Sequence, residues 1–139
     1  MSVQEYGAPI TLSKARRAVD AAEQEAQRQG LAVIIAVFDS ASQLVLVQRM
    51  DHAQYGSIPI AQAKAKCAVD FKRATKQFEE ALVQGGMGWR ALSVEGITPF
   101  EGGLPIIEDG KIIGAIGVSG ARADQDGLIA AAGVAALSG

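Results

Sequence analysis

Apolar residues at Leu12, Ala15, Val19, Ala22 and Ala26 recur every three or four positions, which lays one stripe along a helix that Thr11 can cap and Gly30 can end. Residues 32–38, AVIIAVF, form an unbroken apolar run that is rich in β-branched side chains and too short for an ordinary helix. They predict a buried strand, and the polar turn Asp39-Ser40-Ala41-Ser42 joins it to a second strand at residues 44–49, an antiparallel hairpin. Pro59 stands at the first position of a second helix, with Ala61, Ala65, Ala68 and Phe71 at helical spacing. Thr75 caps a third, shorter helix that carries Phe78 and Leu82 and breaks at Gly85-Gly86-Met87-Gly88. Residues 89–100 show no clear period and read as a loop with room for one short strand.

The strongest local signal follows. Residues 104–107, the pair Asp109-Gly110 and residues 111–119 spell a hairpin with a type I′ turn. Simple alternation puts Ile112, Gly114, Ile116 and Val118 on one face of the second strand and Ile113, Ala115 and Gly117 on the other, so both faces are apolar and covered. Asp124 or Asp126 caps a last helix through Leu128, Ile129, Ala132 and Ala136, with Gly133 weakening its middle. Residues 1–10, broken by Gly7 and Pro9, read as an arm, and residues 11–139 as one domain. The order is helix, two strands, two helices, two or three strands, helix. Because neighbouring strands are hairpin-linked, it predicts an α/β domain of the α+β kind with a mainly antiparallel sheet.

Composition narrows the function classes. The 139 residues are 49% hydrophobic but only 5% aromatic, so small aliphatic side chains must pack helix against sheet. A net charge of −2 leaves no basic footprint, which argues against nucleic acid as a partner. One cysteine, Cys67, allows no intramolecular disulfide, and one cysteine plus one histidine do not make a four-ligand zinc site, so no metal is expected. The N-terminal segment lacks the apolar core of a secretory signal, and no run approaches the ~20 apolar residues of a membrane span. A cytoplasmic protein with no membrane partner is expected.

Candidate chemistry concentrates in the glycine-rich residues 102–120. Gly114, Gly117 and Gly120 do not make a dinucleotide loop, since two of them fall inside a strand rather than in a strand-to-helix turn. They mark places where a helix, a ligand or another backbone approaches closely. The segment 120–125 leads into a helix N-terminus that would attract an anion, yet Asp124 and Asp126 already supply negative charge there. Arg49 ends an apolar strand beside Met50 and Asp51, where it can fork onto a carboxylate. His52 follows in a polar loop, where an imidazole serves as base or axial ligand and is otherwise solvated. Lys64 and Lys66 point to different faces of the second helix; whichever faces the sheet needs an anion or an ion pair. Cys67 reads as a small core residue, and a Ser119, His52, Asp126 triad has no nucleophile-elbow pattern behind it.

Several separated motifs, taken in order, carry a resemblance: Ala36-Val37-Phe38-Asp39, Leu44, Arg49-Met50-Asp51 with Ala53, Lys64-Ala65 with Ala68, Phe71 and Thr75, Gly102-Gly103-Leu104-Pro105-Ile106, and Gly114-Ala115-Ile116-Gly117-Val118-Ser119-Gly120 with Gln125-Asp126. From about Leu12 to Ala136 the chain resembles the GlcG and HbpS family of haem-binding-type domains. The resemblance implies a profilin-like α/β/α sandwich around a mainly antiparallel five-stranded sheet, assembled as homo-oligomers from dimer to octamer. Members of that family include a secreted haem-binding redox sensor, a haem-binding domain fused to corrinoid adenosyltransferases, and proteins encoded beside glycolate-oxidation genes. Here the first helix has no histidine, which leaves His52, Cys67, Tyr55, Met50 or Thr75 as axial-ligand candidates.

The leading expectation is a cytoplasmic homo-oligomer that holds haem, a corrinoid or a small metabolite between the glycine hairpin and the second helix. Phe38, Met50, Thr75, Gly102, Gly103, Gly114, Gly117 and Ser119 would line that site. The rival is an isomerase, hydratase or lyase acting on a small carboxylate or carbonyl compound, with Arg49 or Lys64 holding the anion and Asp126, Glu101 or His52 moving a proton. A third class, an assembly role, needs only the oligomer surface.

Overall fold

A computed structural model describes residues 3–138; Met1, Ser2 and Gly139, the outermost residues of the expected arm and domain, lie outside the described residues. Helix α1 (Leu12–Arg28) begins where the Thr11 hydroxyl accepts the Lys14 amide at 3.2 Å, and it buries Ala15, Ala18, Val19, Ala22 and Ala26. Strands β1 (Ile34–Asp39) and β2 (Leu44–Arg49) follow, joined by a turn in which the Asp39 carboxylate accepts the amides of Ala41 and Gln43. Helix α2 (Ser57–Asp70) starts two residues ahead of Pro59, and α3 (Lys76–Gln84) leads into a 3-10 helix, Gly86–Ser93. Strands β3 (Gly103–Glu108) and β4 (Lys111–Ser119) meet at Asp109 and Gly110, both at positive φ as a type I′ turn requires. Helix α4 (Ala123–Ala135) closes the chain.

The sheet runs β2-β1-β4-β3, antiparallel at every step, with α1 and α4 on one face and α2 on the other. It has four strands rather than the five that the resemblance implied. Residues 89–100 supply none, because Gly86 and its neighbours curl into the 3-10 helix instead. The arm contributes a single parallel bridge between Tyr6 and Ile112, alongside β4 just past the end of β1. Simple alternation also fails at one point of β4. Ile106 pairs with Gly114 but Ile107 pairs with Ile112, so Ile113 is an extra residue in the ladder and Ile112 turns to the α2 face.

Two glycines decide how close α2 comes. Gly103 and Gly117 pair across β3 and β4 on the α2 face. A Cβ on Gly117 would lie 2.1 Å from the Ala61 carbonyl oxygen, and one on Gly103 would lie 2.4 Å from that of Lys64. Helix backbone therefore rests almost directly on strand backbone, with Ala61, Ala65 and Ala68 filling the remaining space. The helix itself takes the room that Gly103 and Gly117 leave, so these two glycines make space for α2 backbone and not for a ligand. Gly114 opens toward the opposite face, where Ile10 and the Phe38 carbonyl crowd it.

Gly117→Ala should therefore destabilise the fold by about 3 kcal/mol, roughly 10 °C in Tm, since no flexible side chain can yield. Gly56→Ala, at a position with open space and an ordinary helical φ, should change stability by less than about 1 kcal/mol. Parallel thermal denaturation of the two variants checks the difference.

Candidate functional site

Close approach of α2 carries Lys64 under the end of the sheet. Its side chain is 2% exposed, and its ammonium donates to the Val118 carbonyl at 2.9 Å and to Asp126 Oδ2 at 3.0 Å. Asp126, also 2% exposed, uses its other oxygen to accept the Ala121 amide at 3.0 Å. One buried ion pair thus ties α2, the end of β4 and the first turn of α4 together. Burial pushes the Asp126 carboxyl above the ordinary aspartate range, against the charge and hydrogen bond of Lys64 and the Ala121 amide, which pull it down. Gly102, at φ 136°, passes over the amine; a Cβ there would stand 2.8 Å from Lys64 Nζ.

A cleft of about 210 Å³ opens over this pair, lined by Gln54, Ile60, Lys64, Phe100, Ser119 and Asp126, with Ala121 and Ala123 at its edge. Ser119 is 5% exposed and its hydroxyl makes no hydrogen bond among the described residues. A second, wider cleft of about 470 Å³ is lined by residues 49 and 51–55, and Gln54 belongs to both. Ser119 pairs with Ile34 and Ile34 with Arg49, so the three side chains form a row across the α2 face that links the two clefts. The Arg49 guanidinium lies 5.7 Å from the centre of the Tyr55 ring. His52 sits exposed at a positive φ of 73°.

Residues 10–135 match the family model described as haem degrading protein HbpS-like. The chain belongs to the HbpS-like family. Escherichia coli Protein GlcG is 38% identical over 101 residues, covering 73% of this chain and 74% of that protein. The crystal structure of Klebsiella pneumoniae protein ORFY superimposes with a TM-score of 0.90 at 33% identity, covering 99% and 97% of the two chains. A crystal structure of a PduOC:haem complex matches with a TM-score of 0.84 at 26% identity, over 94% of this chain and 96% of that one.

This HbpS-like chain brings together some of the residues singled out from sequence and separates others. Lys64, Asp126, Ser119 and Gly102 meet at the small cleft, and Arg49 and His52 share the larger one. Glu101 lies against Gly127 of α4, where a Cβ would stand 2.2 Å from its Oε2. Burial raises its carboxyl, Glu79, Asp124 and Glu80 add to the effect, and Lys76 opposes it. Lys66 takes the other side of α2, in an exposed pair with Asp70 at 3.1 Å, as the helical spacing required.

Three expected ligand contacts go elsewhere. Thr75 is buried and stands at the N-cap of α3, but its hydroxyl makes no capping bond; it accepts the Gly103 amide at 2.9 Å and anchors the edge of β3. Met50 packs against the α1 and α4 side of the core. Phe38 pairs with Ala115, four residues along β1 from Ile34, about 13 Å farther along the strand, and lines neither cleft. Asp126 is not the cap of α4, whose N-cap is Arg122, with its amide donating to Gln125 Oε1 at 3.1 Å. Gln54, Ile60 and Phe100 escaped the sequence reading because nothing local marks them; Gln54 sits in an ordinary polar loop and the two apolar residues look like core. Cys67 is buried, its sulfur accepts the Thr98 amide at 3.4 Å, and desolvation raises its thiol above the usual range.

Asp126→Ala strands a buried ammonium and should cost about 3–5 kcal/mol, whereas the double variant Lys64→Met/Asp126→Leu should recover most of that loss. Urea denaturation of both variants measures it. Cys67 should stay inert to an aromatic disulfide reagent at pH 8 in the native protein and react at once in denaturant.

Proposed function

We propose that the chain is a small-ligand-binding protein of the haem-binding kind, with the tetrapyrrole in the cleft bounded by Arg49 and Tyr55. The observation that carries this reading is the donor set of that cleft. It places the imidazole of His52, a guanidinium suited to a carboxylate and an exposed aromatic ring around one opening of about 470 Å³, within the ~300–1,000 Å³ range of ligand sites. Haem has an iron that takes an axial nitrogen, a flat ring that stacks, and propionates that pair with arginine, so the three groups match its three needs. His52 would ligate the iron, Arg49 would hold a propionate and Tyr55 would cover one face; the bound group would supply redox and gas-binding chemistry. The PduOC:haem structure, alike in fold over nearly the whole chain, supports the same reading.

Association of this chain with copies of itself is part of the proposal, and its support is an uncovered apolar surface. No residue of α3 or of the 3-10 helix is buried, and Val83, Met87, Trp89 and Leu92 are between 64% and 83% exposed. Large apolar side chains this exposed, on neighbouring elements, suit a contact surface. The described residues contain no helix long and apolar enough to cross a membrane, and the single thiol is free and buried, which suits a cytoplasmic protein.

Haem added to the purified protein should shift the Soret band and saturate at one equivalent per subunit. His52→Ala should abolish the shift, and Arg49→Ala should weaken binding about tenfold. A response that is flat, or unchanged in both variants, removes the reading. Met87→Glu/Leu92→Glu should lower the mass measured by light scattering while leaving the circular dichroism spectrum intact.

A further inference from the structure

The haem reading leaves the smaller cleft without a purpose, and that cleft holds the most unusual chemistry in the molecule. Lysine is among the residues least often fully buried, yet Lys64 lies at the bottom of an opening rather than within sealed core. Its ammonium has three hydrogens; Val118 and Asp126 take two of them. Beside it stands a second polar group with no protein partner among the described residues, the Ser119 hydroxyl, 5% exposed and lining the same cleft. A structural ion pair needs no free hydroxyl next to it and no opening above it. A small polar ligand needs both.

We propose that Lys64 is an imine-forming lysine that captures a small aldehyde or ketone in this cleft, with Asp126 as its proton-transfer partner and Ser119 as the hydrogen-bond donor to the carbonyl oxygen. The volume, about 210 Å³, suits a compound of a few carbon atoms and is below that of sites for drug-sized ligands. The two partners stand 3.0 Å apart, a distance at which one proton can pass between them. Transfer of that proton from Lys64 Nζ to Asp126 Oδ2 turns a buried ion pair into a neutral amine and a carboxylic acid, the two species imine formation uses. Low polarity around the pair, the same desolvation that raises the Asp126 carboxyl, reduces the cost of that exchange.

The amine lone pair attacks the carbonyl carbon, a C–N bond forms, and the C=O π electrons move to oxygen, which Ser119 stabilises. A proton shifts from nitrogen to that oxygen to give the carbinolamine. Nitrogen then forms the C=N bond as the C–O bond breaks, and Asp126 returns its proton to the departing hydroxyl, which leaves as water. Lysine ammonium and carbonyl compound have become a protonated imine and water, and the cation still faces the Asp126 carboxylate. Gly102 is required here for a steric reason, since any side chain at that position would occupy the space over Nζ.

Acetaldehyde with sodium cyanoborohydride is a sufficient probe, because the reductant converts the imine into a stable N-ethyl lysine. In the intact native protein at limiting aldehyde, peptide mapping should find Lys64 modified ahead of the exposed Lys66 on the same helix. Asp126→Asn should slow labelling of Lys64 about a hundredfold and leave Lys66 unaffected. Ser119→Ala, which removes one hydroxyl and no packing, should slow Lys64 with no change in Tm. Labelling confined to exposed lysines, with Lys64 untouched in the wild-type protein, overturns the proposal and leaves the pair a structural one. The haem reading fails or stands separately, since its readout is the Soret band and its residues are His52 and Arg49.

Discussion

Helix α2 rests on the sheet with almost nothing between the two backbones, and the rest of the molecule follows from that contact. Gly103 and Gly117 face each other across two strands and present only hydrogens to the helix, so the Ala61 and Lys64 carbonyls reach distances that any side chain would forbid. Dispersion between close-packed backbones and small alanines supplies the cohesion that larger aromatic residues provide in other cores. Such a seam tolerates no growth and little rotation. It consequently sets the height and angle at which every side chain on that face of α2 leaves the helix.

Lys64 is the residue for which this matters most. A lysine raised a few ångströms above the sheet would extend its amine into water; held this low, it delivers the amine beneath the end of β4, where Val118 and Asp126 meet it. Desolvation of the two charges largely cancels their attraction, so the pair adds little net stability, and its clearer role is to fix where α4 begins. Removing one partner is a different matter, since it leaves a charge in apolar surroundings. The same elements that hold the pair also leave a cleft over it, and the loop carrying Gln54 joins that cleft to a second one bounded by Arg49, His52 and Tyr55. Two neighbouring openings of unlike chemistry result, one carrying a buried amine and acid and the other an exposed imidazole, guanidinium and phenol.

Much of this was legible in the residues. The bounds of β2, the Thr11 cap, the type I′ turn at Asp109-Gly110 and the opposite fates of Lys64 and Lys66 all follow from local rules of spacing and backbone preference. Where an extra residue enters β4 at Ile113, alternation sends Ile112 to the wrong face, because a bulge depends on the partner strand and leaves no mark in its own sequence. The Thr75 hydroxyl looks like a helix cap in isolation and is drawn instead to the Gly103 amide 28 residues away. The 3-10 helix replaced a possible strand for a related reason: its glycines permit a tight coil, and a Cβ on Gly88 would meet the Ala81 carbonyl at 2.0 Å, so close docking on α3 selects that form.

The sequence by itself determined where the four α-helices and the four strands fall, that the sheet is antiparallel, and that a lysine of α2 facing the sheet would need a counter-charge. Each of these rests on interactions within a few residues, or on a periodicity that any compact fold must bury. Tertiary structure alone decided that the glycines of β3 and β4 admit a helix rather than a ligand, that Asp126 supplies the counter-charge, and that the open space lies at the strand ends. Those outcomes depend on distances between segments far apart in the chain, such as the 62 residues that separate Lys64 from Asp126. Packing sets such distances, and no local pattern records them.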